Sequence, residues 1–176
     1  MEQVKVLIVG DAPYMPPDYV LGTTGFAVIT GKVAPALLEA GYNVHILPRC
    51  LSISARVKEP SPYTFWIPPQ NDPDGFGHVS YVCDMISPDV ILLIGDPGSI
   101  DFFRKSVQVR RVPNVYFGSL EGTPLHRPYS DTMNEIVWTG GRVAMFTQEQ
   151  RDEVVRKSEM PERVSVVGLG TDHANF

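Results

Sequence analysis

The chain has 176 residues, enough for one domain with a substantial core and too few for two full α/β lobes. At 43% hydrophobic and 20% charged residues its composition is that of a soluble globular protein, and its first apolar run, residues 4–9, is too short for a signal peptide or a membrane span. A formal net charge of -5 leaves no basic field to hold a nucleic-acid backbone. The two cysteines, Cys50 and Cys83, form no C-x-x-C or metal-like spacing, which points to a reduced, cytoplasmic setting without a metal centre.

Val4-Lys5-Val6-Leu7-Ile8-Val9 is rich in β-branched residues and reads as one buried parallel strand that Gly10 ends. A loop of glycine and proline, residues 11–24, leads into apolar positions at Phe26, Ile29, Val33, Leu37 and Leu38, which have a helical period, and Gly41 stands where such a helix stops. Pro35 removes one backbone bond inside that helix and should bend it near Gly31. Strand, loop and helix make half of a βαβ unit, with Gly22, Thr23, Thr24 and Gly25 at the helix N-terminus. Unpartnered amide protons and aligned peptide dipoles make that end attractive to anions. The spacing matches neither G-x-G-x-x-G nor the P-loop pattern, so two readings stay open: the glycines only turn the chain, or they seat a phosphate.

Residues 43–47 read as a second strand ending at Pro48, with His45 as a hydrogen-bonded sheet residue, and residues 49–62 as an aperiodic loop. Residues 63–67 form a short strand that Pro68 and Pro69 assign to a sheet edge or crossover. A helix over residues 76–86 puts Val79, Val82, Cys83 and Ile86 on one face, leaving His78 and Asp84 on the other. Residues 89–94 are nearly all aliphatic, as in a central strand covered on both faces, and run into Gly95-Asp96-Pro97-Gly98. Asp96 therefore stands at the carboxyl end of a strand, the edge where open α/β sheets bind ligands, or else caps a helix beginning near Ser99. Arg104, Lys105, Arg110 and Arg111 read as a solvated helix end.

Residues 112–117 make another strand, and the stretch after Gly118 holds Glu121, His126 and Arg127. Glu121 is suited to orient a sugar hydroxyl, and His126 with Arg127 to balance anionic charge, or all three are plain polar loop residues. A helix from Ser130 or Asp131 to Trp138, a strand over 142–146, a capping box at Thr147 to Gln150 opening a helix to about Ser158, and a strand over 164–167 complete the chain. Strands alternating with helices throughout predict an α/β fold with a doubly wound parallel sheet and right-handed crossovers. All the strands would then point toward one rim.

Several stretches together resemble the N-terminal domain of GT-B glycosyltransferases of the family 4-like (group 1) type. Leu7-Ile8-Val9-Gly10, Gly22-Thr23-Thr24-Gly25-Phe26 and Leu37-Leu38-Glu39-Ala40-Gly41-Tyr42-Asn43-Val44 are similar to that family's first strand, glycine loop and helix, with Tyr42 in place of the usual His. Ser87-Pro88-Asp89-Val90 with Gly95-Asp96-Pro97 resembles its central strand and turn, although Gly95 stands where many members carry a His. Tyr116 through Pro124 resembles its acceptor-side loop, and residues 166–176 resemble the crossing between its two lobes. The resemblance covers nearly the whole chain.

It implies that residues 1–176 form a Rossmann-like, acceptor-side lobe, with the C-terminal donor-binding domain absent and supplied in cis or in trans. The activity implied is that of a retaining hexosyltransferase, moving sugar from a nucleotide-sugar to a carbohydrate, lipid or protein acceptor without cofactor or metal. On this reading Asp96 and Glu121 are the catalytic candidates; Gly22, Thr23, Thr24 and Gly25 face the donor diphosphate; His126 and Arg127 face the acceptor. Half of the positioning contacts would be missing from the lone lobe, so it is expected to be inactive, and its uncovered apolar surface would favour a homo-oligomer. The alternative is a free-standing Rossmann-like binding or regulatory module without catalysis.

Overall fold

In the first strand, β1 (Lys5–Asp11), Leu7 and Val9 join one apolar core while Val6 and Ile8 join another. Successive side chains of a strand point to opposite faces, so this strand is buried on both sides, as its unbroken apolar run requires. The computed structural model of the chain describes residues 3–11, 25–49, 61–120 and 125–168. With β1, strands β2 (Asn43–Arg49), β3 (Thr64–Phe65), β4 (Val90–Ile94), β5 (Asn114–Gly118), β6 (Arg142–Met145) and β7 (Val164–Val166) form one parallel sheet in the order β3-β2-β1-β4-β5-β6-β7. The fold is Rossmann-like, as the alternation of elements predicts.

Helix α1 (Gly25–Glu39) covers one face, packing Ala34, Phe26, Ile29 and Leu37 on Val6, Ile8, Val44 and Ile46. The opposite face carries α2 (His78–Ile86), α3 (Pro97–Arg104), α4 (Val107–Arg110), α5 (Arg127–Trp138) and α6 (Gln148–Val155) through Val79, Ile100, Val109, Ile136 and Val154. Cys83 lies in that core, where burial first and the charge of Asp84 second push its thiol pKa up to about 11, so it is an inert packing residue. Cys50 lies outside the described residues.

Three expectations need correction. The second strand does not end at Pro48 but continues to Arg49. Proline is tolerated there because β3 pairs only with His45 and Ile46, so no ladder partner waits for the missing N–H. β4 is not sealed on both faces: Ile91 and Leu93 are fully buried, whereas Val90 and Leu92 face the α1 side and line an open apolar groove of about 270 Å³ with Val4, Leu37, Tyr42 and Val115. Arg104 is no solvated helix end, for it is 1% exposed and its Nη1 donates to Asn114 Oδ1 at 2.7 Å.

His45 is the sheet residue the sequence suggests: it is buried, and its Nδ1 accepts from Trp66 Nε1 at 3.3 Å. Burial first and the Lys5 charge second lower its pKa. Folding thus keeps the imidazole neutral while the unfolded chain takes up a proton more readily. The stabilisation is complete above about pH 6.5 and declines as the pH drops through that value. Denaturant midpoints measured from pH 7.5 to 5 should show this decline, and His45→Asn, which keeps an acceptor for Trp66, should flatten it.

Candidate functional site

All seven strands leave the sheet at one edge, and strand order reverses between β1 and β4, the place where open α/β sheets form a binding crevice. β1 ends there at Asp11, and its register partner Arg49 ends β2. Arg49 Nη1 lies 3.9 Å from Asp11 Oδ1, with the two side chains only 11% and 12% exposed. The guanidinium sits 6.0 Å from the centre of the Phe76 ring. A Cβ on Gly95 would approach Nη1 to 3.3 Å, so the glycine after β4 leaves room for the guanidinium at the switch point. Neither Asp11 nor Arg49 is a candidate from the sequence. The signal that marks them is a repeat: each strand passes its last aliphatic residue, then Gly10 or Pro48, then ends on a charge of opposite sign.

Asp96 combines both roles open to it, standing at this edge and capping α3. Its Oδ1 accepts from the Ser99 amide at 2.9 Å and its Oδ2 from the Ser99 hydroxyl at 2.6 Å. Burial alone would raise its pKa, but the two Ser99 bonds and the charge of Arg49 outweigh that and hold the carboxyl below its usual range. The carboxylate is therefore a weak base that keeps lone pairs free for a further donor. Beneath it, the buried Tyr116 hydroxyl donates to Gly95 O at 3.0 Å and ties the ends of β4 and β5 together. Burial, then the charge of Asp96, raise the Tyr116 pKa, which keeps it a donor.

α5 supplies the next part of the rim. His126 is exposed at its N-terminus and makes no side-chain cap, and its ring stands edge-on to Tyr129, 6.1 Å between centroids. The Tyr129 hydroxyl lies 3.4 Å from where a Cβ on Gly98 would be, and Asp96 Oδ1 lies 3.2 Å from that same point. Tyr129, which the sequence reading missed, thus comes between His126 and Asp96. Arg127 is 91% exposed and pairs loosely with Asp131 on its own helix, Nε to Oδ2 3.7 Å.

Gly25 opens α1, and its neighbour Phe26 lies 6.3 Å from Phe146, itself 5.1 Å from Phe117. These rings set the start of α1 over the carboxyl ends of β5 and β6, on the same edge as Asp96. Gly22, Thr23, Thr24 and Glu121 lie outside the described residues. The residues flanking the Glu121 stretch are held by α6 and the turn after it: Gln150 Nε2 donates to Leu120 O at 3.3 Å, Glu153 Oε1 accepts from the Leu125 amide at 2.8 Å, and Lys157 Nζ, just past the helix, donates to Leu125 O. Among the described residues, no three His, Cys, Asp or Glu side chains are grouped to hold a metal ion, and no helix is long and apolar enough to cross a membrane.

No protein-family model matches this sequence, and no curated protein matches it. Solved structures do match in fold. A UDP-N-acetylglucosamine 2-epimerase from Rickettsia bellii superposes with a TM-score of 0.60 at 14% identity over 95% of this chain, which spans 45% of the epimerase. A sucrose-phosphate synthase from Thermosynechococcus elongatus gives 0.60 at 12% identity over 97% of this chain and 91% of that one. A phenylacrylic acid decarboxylase from Aquifex aeolicus gives 0.51 at 13% identity, covering 83% and 82%. At these identities the likeness is one of fold. The two stronger matches are both GT-B-type folds.

Proposed function

We propose that the chain is the acceptor-side lobe of a glycosyltransferase of the family 4-like type, which moves a hexose from a nucleotide-sugar to a hydroxyl acceptor. The observation that supports this most is the rim at the switch point, where Asp11, Arg49 and Asp96 stand beside Tyr129 and His126. Planar charged groups and a phenol at a carboxyl edge suit hydroxyl-rich ligands. The two stronger fold neighbours, each named for an enzyme of sugar chemistry, point the same way.

In this reading the amides at the start of α1, with Gly22, Thr23, Thr24 and Gly25, meet the negative charge that grows on the diphosphate as the sugar departs. Asp96 and Glu121 accept hydrogen bonds from hydroxyls of the acceptor or the transferred sugar. The depressed pKa of Asp96 makes it a positioning acceptor rather than the group that removes the acceptor's proton. His126 borders the acceptor side. A second, donor-binding lobe, in cis or in trans, completes the cleft, and the single lobe turns over negligibly because half of the positioning contacts are missing.

A second reading, a binding module without catalysis, draws support from the same Asp96, whose oxygens are both engaged by Ser99. Calorimetric titration of a panel of nucleotide-sugars separates the two, using the chain joined to whatever its natural reading frame appends. Saturable binding of one donor, with slow donor hydrolysis, is the expected result; heat changes absent for every donor would leave the module.

A further inference from the structure

At the end of the sheet opposite the rim, Arg104 is buried at 1% exposure with only its Nη1 engaged, donating to Asn114 Oδ1 at 2.7 Å. Its Nε and Nη2 are also buried, and neither has a hydrogen-bond partner. These two nitrogens lie along one edge of the guanidinium, the edge that grips an oxyanion through two parallel bonds. The edge is held in place. Asn114 is pinned through Nδ2 to Val109 O and Val112 O, and Arg110 Nε donates to Arg104 O.

The edge faces Glu135 of α5, whose Oε2 stands 3.7 Å from Arg104 Nη2 and 3.7 Å from Arg110 Nη2, beyond hydrogen-bond reach of both. The charges here are Arg104, Lys105, Arg110 and Arg111 from α3, α4 and their caps, against Asp101 of α3 and Glu135. Asp101 is taken by Lys105 at 3.4 Å and by the Thr132 hydroxyl at 2.9 Å, which leaves Glu135 to three arginines. A buried cation matched so poorly is costly. Burial lowers the Arg104 pKa, the Glu135 charge works against that, and Arg110 adds to the lowering.

We propose that Arg104 and Arg110 form a site for a phosphate group with three free oxygens, as in inorganic phosphate or a small phosphate monoester, and that Glu135 is its gate. A single carboxylate standing between the two guanidiniums bonds neither. The oxygens of a phosphate are enough to take both nitrogens of the Arg104 edge and Arg110 Nη2 together. Glu135 is 42% exposed, so it can swing into water as the anion enters and repels it. In a nucleotide-sugar both phosphates are esterified or bridged and neither has three free oxygens, so donors are not ligands here. The site stands whether or not the chain transfers sugar.

The test is an amide-shift titration of the 176-residue chain with inorganic phosphate and with glucose 6-phosphate at about pH 8, where both are dianions, against sodium chloride at matched ionic strength. Phosphate should shift Lys105, Arg110, Arg111, Asn114 and Glu135 and leave Gly95, Gly98 and Ser99 unmoved. Glu135→Gln removes the competing charge and should tighten binding by about tenfold, while Arg110→Gln, at a half-exposed position, should weaken it by about tenfold. Both variants are checked for native amide dispersion. Glucose 6-phosphate binding as tightly as phosphate would make the ligand a monoester, and its exclusion would make it the free ion; either result supports the site. Equal shifts with chloride, wild-type affinity in a folded Arg110→Gln, or a Glu135→Gln chain that loses stability and gains no affinity would overturn it, the last by making Glu135 a plain counter-ion.

Discussion

Alanine at Gly118 will cost the fold at least about 3 kcal/mol, the upper end for forcing atoms into a packed interior. An added Cβ would fall inside the contact distance of the Gly95 carbonyl oxygen and the Tyr116 hydroxyl, and 2.6 Å from Tyr116 Cζ. Neither neighbour can yield cheaply. The Gly95 carbonyl belongs to the main chain just after β4, and the Tyr116 ring is 1% exposed and hydrogen-bonded to that same carbonyl at 3.0 Å. The bond that joins the ends of β4 and β5 must break for the methyl group to enter, and it is this bond that sets the floor under Asp96. For a chain of this size the melting midpoint should fall by roughly 6 to 12 °C. A Gly118→Ala protein that melts within about 2 °C of the parent would show the two strand ends to be looser than described.

Arg104→Ala should be nearly as damaging, at about 3 to 5 kcal/mol in urea unfolding, although it lies far from the rim near the amino end of β5. The Arg104 guanidinium is the donor for Asn114 Oδ1, and Asn114 is fully buried with its Nδ2 already committed to Val109 O at 3.0 Å and Val112 O at 2.7 Å. Truncation leaves that amide oxygen without a partner in a dry interior and opens a cavity the size of the side chain. Glu135 lies 3.7 Å from both Arg104 Nη2 and Arg110 Nη2, but it is 42% exposed and can turn to water, so the loss comes mainly from Asn114 and the void. Arg104→Met, which fills part of the void, should recover some of the loss. An Arg104→Ala midpoint within about 1 kcal/mol of the parent would contradict this account.

The sheet and its direction were legible because strands inside a parallel sheet demand apolar runs, which 6–9 and 90–94 carry, although 90–94 is covered fully on one face only. Asp96 was legible for a related reason, since a Gly-Asp-Pro turn after such a strand both ends it and caps the next helix. Arg49 was not, because Pro48 ends a strand pattern when read alone; only the short neighbour β3 makes proline harmless at that place. Arg104 looked solvated because charged residues cluster around it, and the partner that buries it, Asn114, is ten residues away on another element. Tyr129 reads as an ordinary helix residue until α5 is laid against the start of α3. Local pattern revealed the strands and caps, while the side chains gathered at the rim depend on pairings between distant segments.

The claim on which the function rests is that ligand meets this molecule at the carboxyl edge of the sheet. It is tested most directly by following the donor titration through backbone amide shifts, residue by residue. The account predicts that the shifts gather at Asp11, Gly25, Arg49, Gly95 to Ser99, Gly118 and Tyr129. Shifts gathered instead at the opposite edge, around Asn43, Asp89, Asn114 and Arg142, would contradict it.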